Sequence, residues 1–186
     1  MMYVKGTAIK SIPQFVKFYH PDKFANFLDS LSESSKQIMG EVIIINYWYP
    51  IYEAYYFPLE AIRTLFFEGD TQKCATNIGR FSAQTALTGI YKIFLKLGSP
   101  NHIIQRATKI FSTYFNPAHL VVVDHSHKNC VFRVTEFGKM QEIAEYNILG
   151  WCEMALELSG CKNLKIQILS SISSGDPYTE YRASWA

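Results

Sequence analysis

A stretch of 28 residues, Asp70–Leu97, constrains the fold more than any other part of the chain. It begins with an aspartate, which can accept hydrogen bonds from the free N–H groups of a first helical turn. It is followed by Gly98, a residue type that tolerates a left-handed helix end. No proline lies between these two residues. The sequence therefore predicts one long helix.

Small side chains recur along one face of this helix, at spacings of four, four and three residues: Ala75, Gly79, Ala83 and Ala86. Small residues at helical spacing let a second backbone come close. Bulkier apolar residues continue the same face at Ile90 and Phe94. We predict a central, buried helix whose first half packs tightly on another helix and whose second half, at Tyr91 and Phe94, borders a pocket.

The chain changes character after Pro117. Two β-branched runs, a helical stretch from Met140 to Leu158 and two further strand-like runs follow. The order strand, strand, helix, strand, strand predicts an α+β fold, in which N-terminal helices and the long central helix pack on a C-terminal four-stranded antiparallel sheet. At this length we expect one domain, 1–186, with a mainly helical part at 1–116 and the sheet plus a helix at 117–186.

Prolines mark further boundaries. Ser99-Pro100 predicts a helix start, because proline is favoured in a first turn. Pro58 predicts a kink or break near Tyr56–Phe57, because it removes one backbone hydrogen bond. Before it, the run EVIIINYWY at Glu41–Tyr49 consists of strand-favouring residues.

Charge is unevenly distributed although the net charge is only +2. Residues 71–123 contain no Asp or Glu and six Lys or Arg, whereas 41–70 and 136–160 each carry a net charge of −4. This pattern predicts a basic layer between acidic layers, in one chain or across a dimer. The basic residues alternate with apolar positions and do not form one cluster with exposed aromatics, so we expect no nucleic-acid partner.

The four cysteines form no C-x-x-C pair, which favours reduced thiols in a cytoplasmic protein. We expect no secretory signal and no transmembrane segment. His125, His127 and Cys130 form H-x-H-x-x-C, but a second ligand cluster is missing, so we expect a polar hairpin tip and no metal. No phosphate loop or nucleophile motif occurs, and we expect no enzyme activity.

Several segments carry a resemblance to known proteins: KGT at Lys5–Thr7, WYP at Trp48–Pro50, GRFSAQTALTGIYKIFL at Gly79–Leu95, GWCEMALELSG at Gly150–Gly160 and GDPYTEYRASW at Gly175–Trp185. On these segments the chain resembles a myxobacterial-type paralogous family. That family is related to a superfamily of heme nitric-oxide/oxygen-binding domains, 4-vinyl reductase-type hydrocarbon-binding domains and TRAPP trafficking subunits. The resemblance implies frequent dimers and a hydrophobic space beside the sheet, which holds heme in one branch and lipid or small apolar ligands in others.

From the resemblance we expect a non-enzymatic regulatory or scaffolding domain, a homodimer, that binds a small apolar ligand or a protein partner. The expected pocket residues are Tyr91, Phe94, His102, Phe111 and Trp151. The alternative is a heme-based NO/O2 sensor that uses His102, which lies roughly where the heme-binding branch carries its iron ligand. That branch also holds the heme propionates with a Tyr-x-Ser-x-Arg motif, which this sequence lacks. We therefore expect no cofactor.

Overall fold

The computed structural model describes residues 1–88 and 100–186, and it describes Asn101, His102 and Ala107 by their backbone alone. The N-terminal elements are strand β1 (Tyr3–Lys5), helices α1 (Gly6–Ile9), α2 (Ser11–Tyr19), α3 (Phe24–Asp29) and α4 (Glu33–Gly40), strand β2 (Trp48–Pro50), and helices α5 (Phe57–Phe66) and α6 (Thr71–Thr88). The remaining elements are helix α7 (Pro100–Ser112), strands β3 (Phe115–Asn116), β4 (His119–His125) and β5 (Asn129–Thr135), helix α8 (Glu142–Leu158), and strands β6 (Lys165–Ser170) and β7 (Thr179–Ser184).

The four-stranded sheet has the predicted composition. Its strand order is β4-β5-β7-β6, with every neighbouring pair antiparallel, and helix α8 lies between β5 and β6 in the chain. Buried residues alternate along β5 and β7, as expected for strands with one face against a core. Phe132 pairs with Tyr181 in the register, and their rings stack at 5.0 Å. The α+β prediction is confirmed.

Helix α6 begins as predicted. The Asp70 carboxylate accepts a hydrogen bond from the Lys73 N–H at 2.9 Å, which satisfies one free donor of the first turn. The described part of this helix ends at Thr88, so the predicted continuation to Leu97 lies outside the described residues. The described part of helix α7 begins at Pro100, and Ser99, the predicted cap, lies outside the described residues.

Helices α6 and α8 pack backbone to backbone. A Cβ atom added to Gly79 would lie 2.1 Å from the carbonyl oxygen of Asn147, and one added to Gly150 would lie 2.3 Å from that of Thr76. Ala75 and Ala83 on the same face of α6 are fully buried. The small-residue face is therefore the contact surface between the two helices, as predicted.

The charge pattern has a direct structural counterpart. Arg80 of α6 binds Glu153 at 2.6 Å and Glu157 at 2.7 Å, and both carboxylates belong to α8. The basic segment thus packs on an acidic one within a single chain. Glu153 and Glu157, one helical turn apart, are partners of an arginine.

The helix around Pro58 has no break, and most of the Glu41–Tyr49 run is not a strand. A π-helical turn, Tyr52–Tyr56, passes directly into α5 at Phe57, so Pro58 coincides with a change of helix geometry rather than a break. Only Trp48–Pro50 is a strand, and it joins β1 and β3 in a small sheet of order β2-β1-β3 that the sequence did not predict. The preceding loop places its Ile45 and Tyr47 carbonyls on the first N–H groups of α1. These bonds to a helix start replace strand pairing.

Among the helices of the described ranges, none is long and apolar enough to cross a membrane.

Candidate ligand cavity

Two small cavities lie between helix α7, helix α8 and the four-stranded sheet, and the larger one is also lined by Ala8 of α1, Tyr55 and Ser82 of α6. Their volumes are ≈ 60 Å³ and ≈ 40 Å³. Four residues line both: Ile110, Leu120, Trp151 and Cys152. Because these side chains form a shared wall, the two cavities are neighbouring compartments of one site.

Each surrounding element contributes apolar side chains by its own periodicity. Helix α7 presents residues seven apart, Ile103 with Ile110 and Ile104 with Phe111, which fall on one helical face. Alternate positions of β4 contribute Leu120 and Val122, and alternate positions of β5 contribute Cys130 and Phe132. Helix α8 contributes Ile148, Trp151, Cys152 and Ala155.

Aromatic rings close the end of the larger cavity near the C-terminus of α7. The rings of Phe111 and Phe115 are 5.2 Å apart, and Tyr55 meets Phe115 edge-on at 5.7 Å. Tyr114 meets Trp151 edge-on at 6.0 Å. Such edge contacts are favourable ring geometries and hold the rings in fixed orientations. The walls of the cavity are therefore defined by packed side chains.

A buried polar chain crosses the base of the larger cavity. The Tyr55 hydroxyl donates to Asn147 Oδ1 at 2.8 Å, and Asn147 Nδ2 donates to the carbonyl of Ala75 at 3.2 Å. Burial raises the pKa of Tyr55 well above its usual value, so this hydroxyl stays protonated. These hydrogen bonds fix Asn147 on α8 relative to α6, and they leave both the Tyr55 hydroxyl and the Asn147 amide paired.

Two thiols face this region, Cys152 from α8 and Cys130 from β5. Burial raises the pKa of each to about 12, and for Cys152 the neighbouring Cys130 adds to the shift. Both thiols are accordingly neutral at physiological pH, where they behave as small apolar groups. The described lining of both cavities contains no Lys, Arg, His, Asp or Glu.

Trp151 is the exception to this pairing of polar groups. Its Nε1 atom is buried, and within the described part of the chain it is the one buried side-chain nitrogen or oxygen that has no hydrogen-bond partner. An indole N–H can only donate. This unpaired donor belongs to a side chain that lines both cavities, and the other polar side chains of the larger cavity are Tyr55, Ser82, Tyr114 and Asn147.

Of the five residues proposed from the sequence, Phe111 and Trp151 both line the larger cavity. Tyr91 and Phe94 lie outside the described residues, and His102 is placed in the first turn of α7 by its backbone only. A ligand role for all five stays a prediction.

The sequence did not single out Tyr55, Asn147, Leu120 or Cys152. One signal was present for Asn147, a polar residue flanked by Tyr146 and Ile148 in an apolar helix. Tyr55 lies in an aromatic-rich stretch from Tyr47 to Phe57, whose side chains suit a core, a ligand pocket or a dimer interface, and only the fold places Tyr55 opposite α8.

The three side chains of the H-x-H-x-x-C segment do not meet at one site. Cys130 is buried while His125 and His127 are exposed, so the cysteine and the histidines face different environments. Within residues 1–88 and 100–186, no three His, Cys, Asp or Glu side chains are placed to hold a metal ion.

The fold is similar to that of H-NOX proteins over nearly the whole chain. The H-NOX protein from S. oneidensis in the Fe(II)NO ligation state has a TM-score of 0.75 at 10% sequence identity, covering 98% of this chain and 99% of that one. The Fe(II) unliganded H-NOX protein from K. algicida has a TM-score of 0.70 at 10% identity, covering 98% and 96%. An H-NOX structure solved to probe the function of heme distortion has a TM-score of 0.67 at 12% identity, covering 97% and 94%.

No protein-family model matches the chain, and no curated protein sequence matches it. The structural likeness supports the predicted relation to the heme-NO-binding branch at the level of fold. The relation to the myxobacterial-type family, the 4-vinyl reductase-type domains and the TRAPP subunits stays a prediction.

Proposed function

We propose that this chain is a non-catalytic sensor domain that binds a small, uncharged apolar ligand between α7, α8 and the four-stranded sheet. The observation that carries the proposal is the apolar cavity in an H-NOX-like fold, walled by Leu120, Ile148 and Trp151. A volume of ≈ 60 Å³ is far below the roughly 300 Å³ of a typical drug-sized site, so the ligand has only a few non-hydrogen atoms. Neutral walls favour an uncharged molecule, because an unpaired charge is costly to bury.

A heme does not fit the residues that the structure describes at this site. Heme brings two propionates, which need cationic or hydrogen-bonding partners, and the described lining offers the hydroxyls of Ser82 and Tyr114 but no cation. Cavities of ≈ 60 and ≈ 40 Å³ are far too small for a macrocycle, and Phe111, Tyr114 and Trp151 line the larger one.

The structural neighbours nevertheless favour a second candidate, a heme-based gas sensor, for which the sequence resemblance suggests His102 as the iron ligand. The matched H-NOX structures were solved in Fe(II) and Fe(II)NO states and cover nearly the whole chain. His102 belongs to α7, the helix that forms one wall of the cavity. This candidate requires the aromatic wall to rearrange.

Xenon binding tests the apolar cavity directly, because a dry cavity lined by apolar side chains takes up xenon. A pair of variants at one position provides the control: Cys152→Leu adds two non-hydrogen atoms to the shared wall, and Cys152→Ala removes one. We expect xenon binding, followed by NMR, in the wild type and in C152A, and its loss in C152L. Equal binding in both variants would place the xenon elsewhere and contradict the proposal.

An absorption spectrum decides between the two candidates. The purified protein is titrated with hemin under reducing conditions. The small-ligand proposal expects no saturable Soret shift. A stoichiometric shift that His102→Ala abolishes would establish the heme candidate and overturn the preferred one. Homodimer formation, a protein partner and a cytoplasmic location stay predictions, of which light scattering on the purified protein tests the first.

A further inference from the structure

We propose that the loop between α4 and β2 binds the surface of a lipid bilayer that contains anionic lipids. The loop, 41–47, exposes four large apolar side chains within six residues: Val42 at 91%, Ile44 at 62%, Ile45 at 43% and Tyr47 at 58%. In the described part of the chain, no other stretch of six residues exposes as many. None of the four lines either cavity, so the inference does not depend on the proposed ligand site.

The protein holds the backbone of this loop firmly. The Ile45 carbonyl accepts hydrogen bonds from the N–H of Thr7 at 3.0 Å and from its hydroxyl at 2.7 Å. The Tyr47 carbonyl accepts from the Gly6 N–H at 2.9 Å. The Ile44 carbonyl lies so close to Gly6 that an added Cβ would be 2.1 Å from its oxygen. Because a bilayer interior offers no partners to backbone polar groups, a loop that pairs its carbonyls within the protein is suited to enter the lipid boundary.

The composition of the loop favours lipid over a protein partner. Its most exposed members, Val42 and Ile44, are aliphatic, whereas the residues that dominate protein–protein affinity are mainly Trp, Tyr and Arg. Tyr47, Trp48 and Tyr49 follow directly in the chain, and the rings of the two tyrosines lie 5.0 Å apart. Tyrosine and tryptophan are enriched where hydrocarbon meets the headgroups of a membrane. An aliphatic tip followed by these rings matches the boundary of a bilayer.

Lysines near the base of the loop favour anionic lipids. Lys5 and Lys10 flank α1, the helix whose first N–H groups the loop binds, and neither has an acidic partner among the described residues. The Lys5 ammonium lies over the Trp48 ring, 5.3 Å from its centroid. The loop itself has one acidic residue, Glu41, so two lysines outnumber one carboxylate. A positive surface next to an apolar tip is attracted to anionic headgroups, and the carboxylate beside the tip restricts insertion to the headgroup boundary.

Sedimentation with vesicles measures the affinity, with phosphatidylcholine alone and with phosphatidylcholine mixed with phosphatidylglycerol. We expect the protein to bind the mixed vesicles, and we expect the variant Val42→Ser/Ile44→Ser to bind them about tenfold more weakly or worse, because affinity scales with the apolar area that enters the lipid. The matched control, Val121→Ser/Val123→Ser, changes two exposed valines of β4 and should leave the affinity unchanged. Circular dichroism confirms that both variants are folded.

Tryptophan fluorescence gives a second readout, which does not need the loop variant. The emission should shift to the blue when mixed vesicles are added, and Trp48→Phe, which retains Trp151 and Trp185, should lose this shift. The variant Lys5→Gln/Lys10→Gln should lose most of the preference for mixed over pure phosphatidylcholine vesicles.

Four results would overturn the proposal. They are a wild type that binds neither kind of vesicle, equal binding by the loop variant and its control, a blue shift that persists in W48F, and a vesicle preference that the lysine variant leaves unchanged. A protein that ignores vesicles but self-associates, and loses that self-association in the loop variant by light scattering, would assign the loop to a protein interface instead.

Discussion

Replacing Gly79 by alanine is expected to force α6 and α8 apart. The added Cβ would lie 2.1 Å from the Asn147 carbonyl oxygen and 2.9 Å from the backbone nitrogen of Trp151, whereas ordinary contact begins near 3.4 Å. The nearest separation must therefore grow by 1.3 Å, from 2.1 Å to 3.4 Å. Both obstructing atoms belong to backbone, so no side chain can rotate to relieve the clash.

The energetic balance follows from two opposed effects. Overpacking a tight contact costs about 1–3 kcal/mol or more, and a shift that moves a whole helix lies at the upper end. Alanine returns about 1 kcal/mol through its higher helix propensity. The expected net loss in the free energy of unfolding is about 2–3 kcal/mol, which for a protein of this size lowers the midpoint of thermal unfolding by roughly 5–10 °C.

Urea and thermal unfolding followed by circular dichroism measure this loss. Gly40→Ala is the matched control, because a Cβ at that helical position would meet only the Leu28 side chain, at 3.7 Å. It is expected to leave stability unchanged or to raise it by up to about 1 kcal/mol. G79A should also weaken xenon binding, since Trp151 moves with α8. Stability of G79A within about 0.5 kcal/mol of the wild type would refute the backbone-contact argument.

Two further predictions concern buried titratable groups. The Glu145 carboxylate, 1% exposed, accepts hydrogen bonds from the hydroxyls of Ser171, Ser173 and Thr179 at 2.5–2.8 Å. Because Glu145→Leu leaves these hydroxyls without their acceptor, it should lower the free energy of unfolding by about 3 kcal/mol or more in urea. The control, Glu142→Leu at an exposed position of the same helix, should lower it by less than about 1 kcal/mol. Equal costs would show that the hydroxyl cluster does not need its carboxylate. Burial raises the pKa of Cys152 from 9.0 to about 12. Between these pH values the folded state keeps a proton that the unfolded state releases. The contribution of this thiol to the free energy of unfolding is therefore complete below about pH 9 and is lost as the pH rises toward 12. Unfolding midpoints measured from pH 8 to 11 should fall less steeply in C152A than in the wild type, and parallel curves would contradict the assignment.

The elements that the sequence predicted well depend on local information. The N-terminal cap of α6 depends on a single residue, Asp70, and the predicted start of α7 depends on Pro100. The small-residue face of α6 could be read from spacing alone, because helical geometry fixes which residues share a face. The strand, strand, helix, strand, strand order followed from β-branched runs and from helical periodicity. Consecutive strands joined by a hairpin or by an αβ crossover have few ways to pair in one sheet.

The elements that it missed depend on distant partners. The run at Glu41–Tyr49 has strand-favouring residues, yet two of its carbonyls bond the start of α1, and only its last two residues, together with Pro50, pair with β1. Strand propensity describes fit to a pleated surface, and whether such a surface is available is decided elsewhere in the chain. The same holds for Tyr55, whose hydroxyl partner lies 92 positions away.

The sequence by itself determined the fold class and a close helix contact along the small-residue face of α6, and its resemblance to known proteins suggested an apolar space beside the sheet near Phe111 and Trp151. The tertiary structure decided that these side chains leave small cavities and that the indole donor of Trp151 is unpaired within the described residues. The physical reason is that periodicity fixes which face a side chain takes. Volume and hydrogen-bond satisfaction depend on atoms from many separate segments of the chain meeting in space.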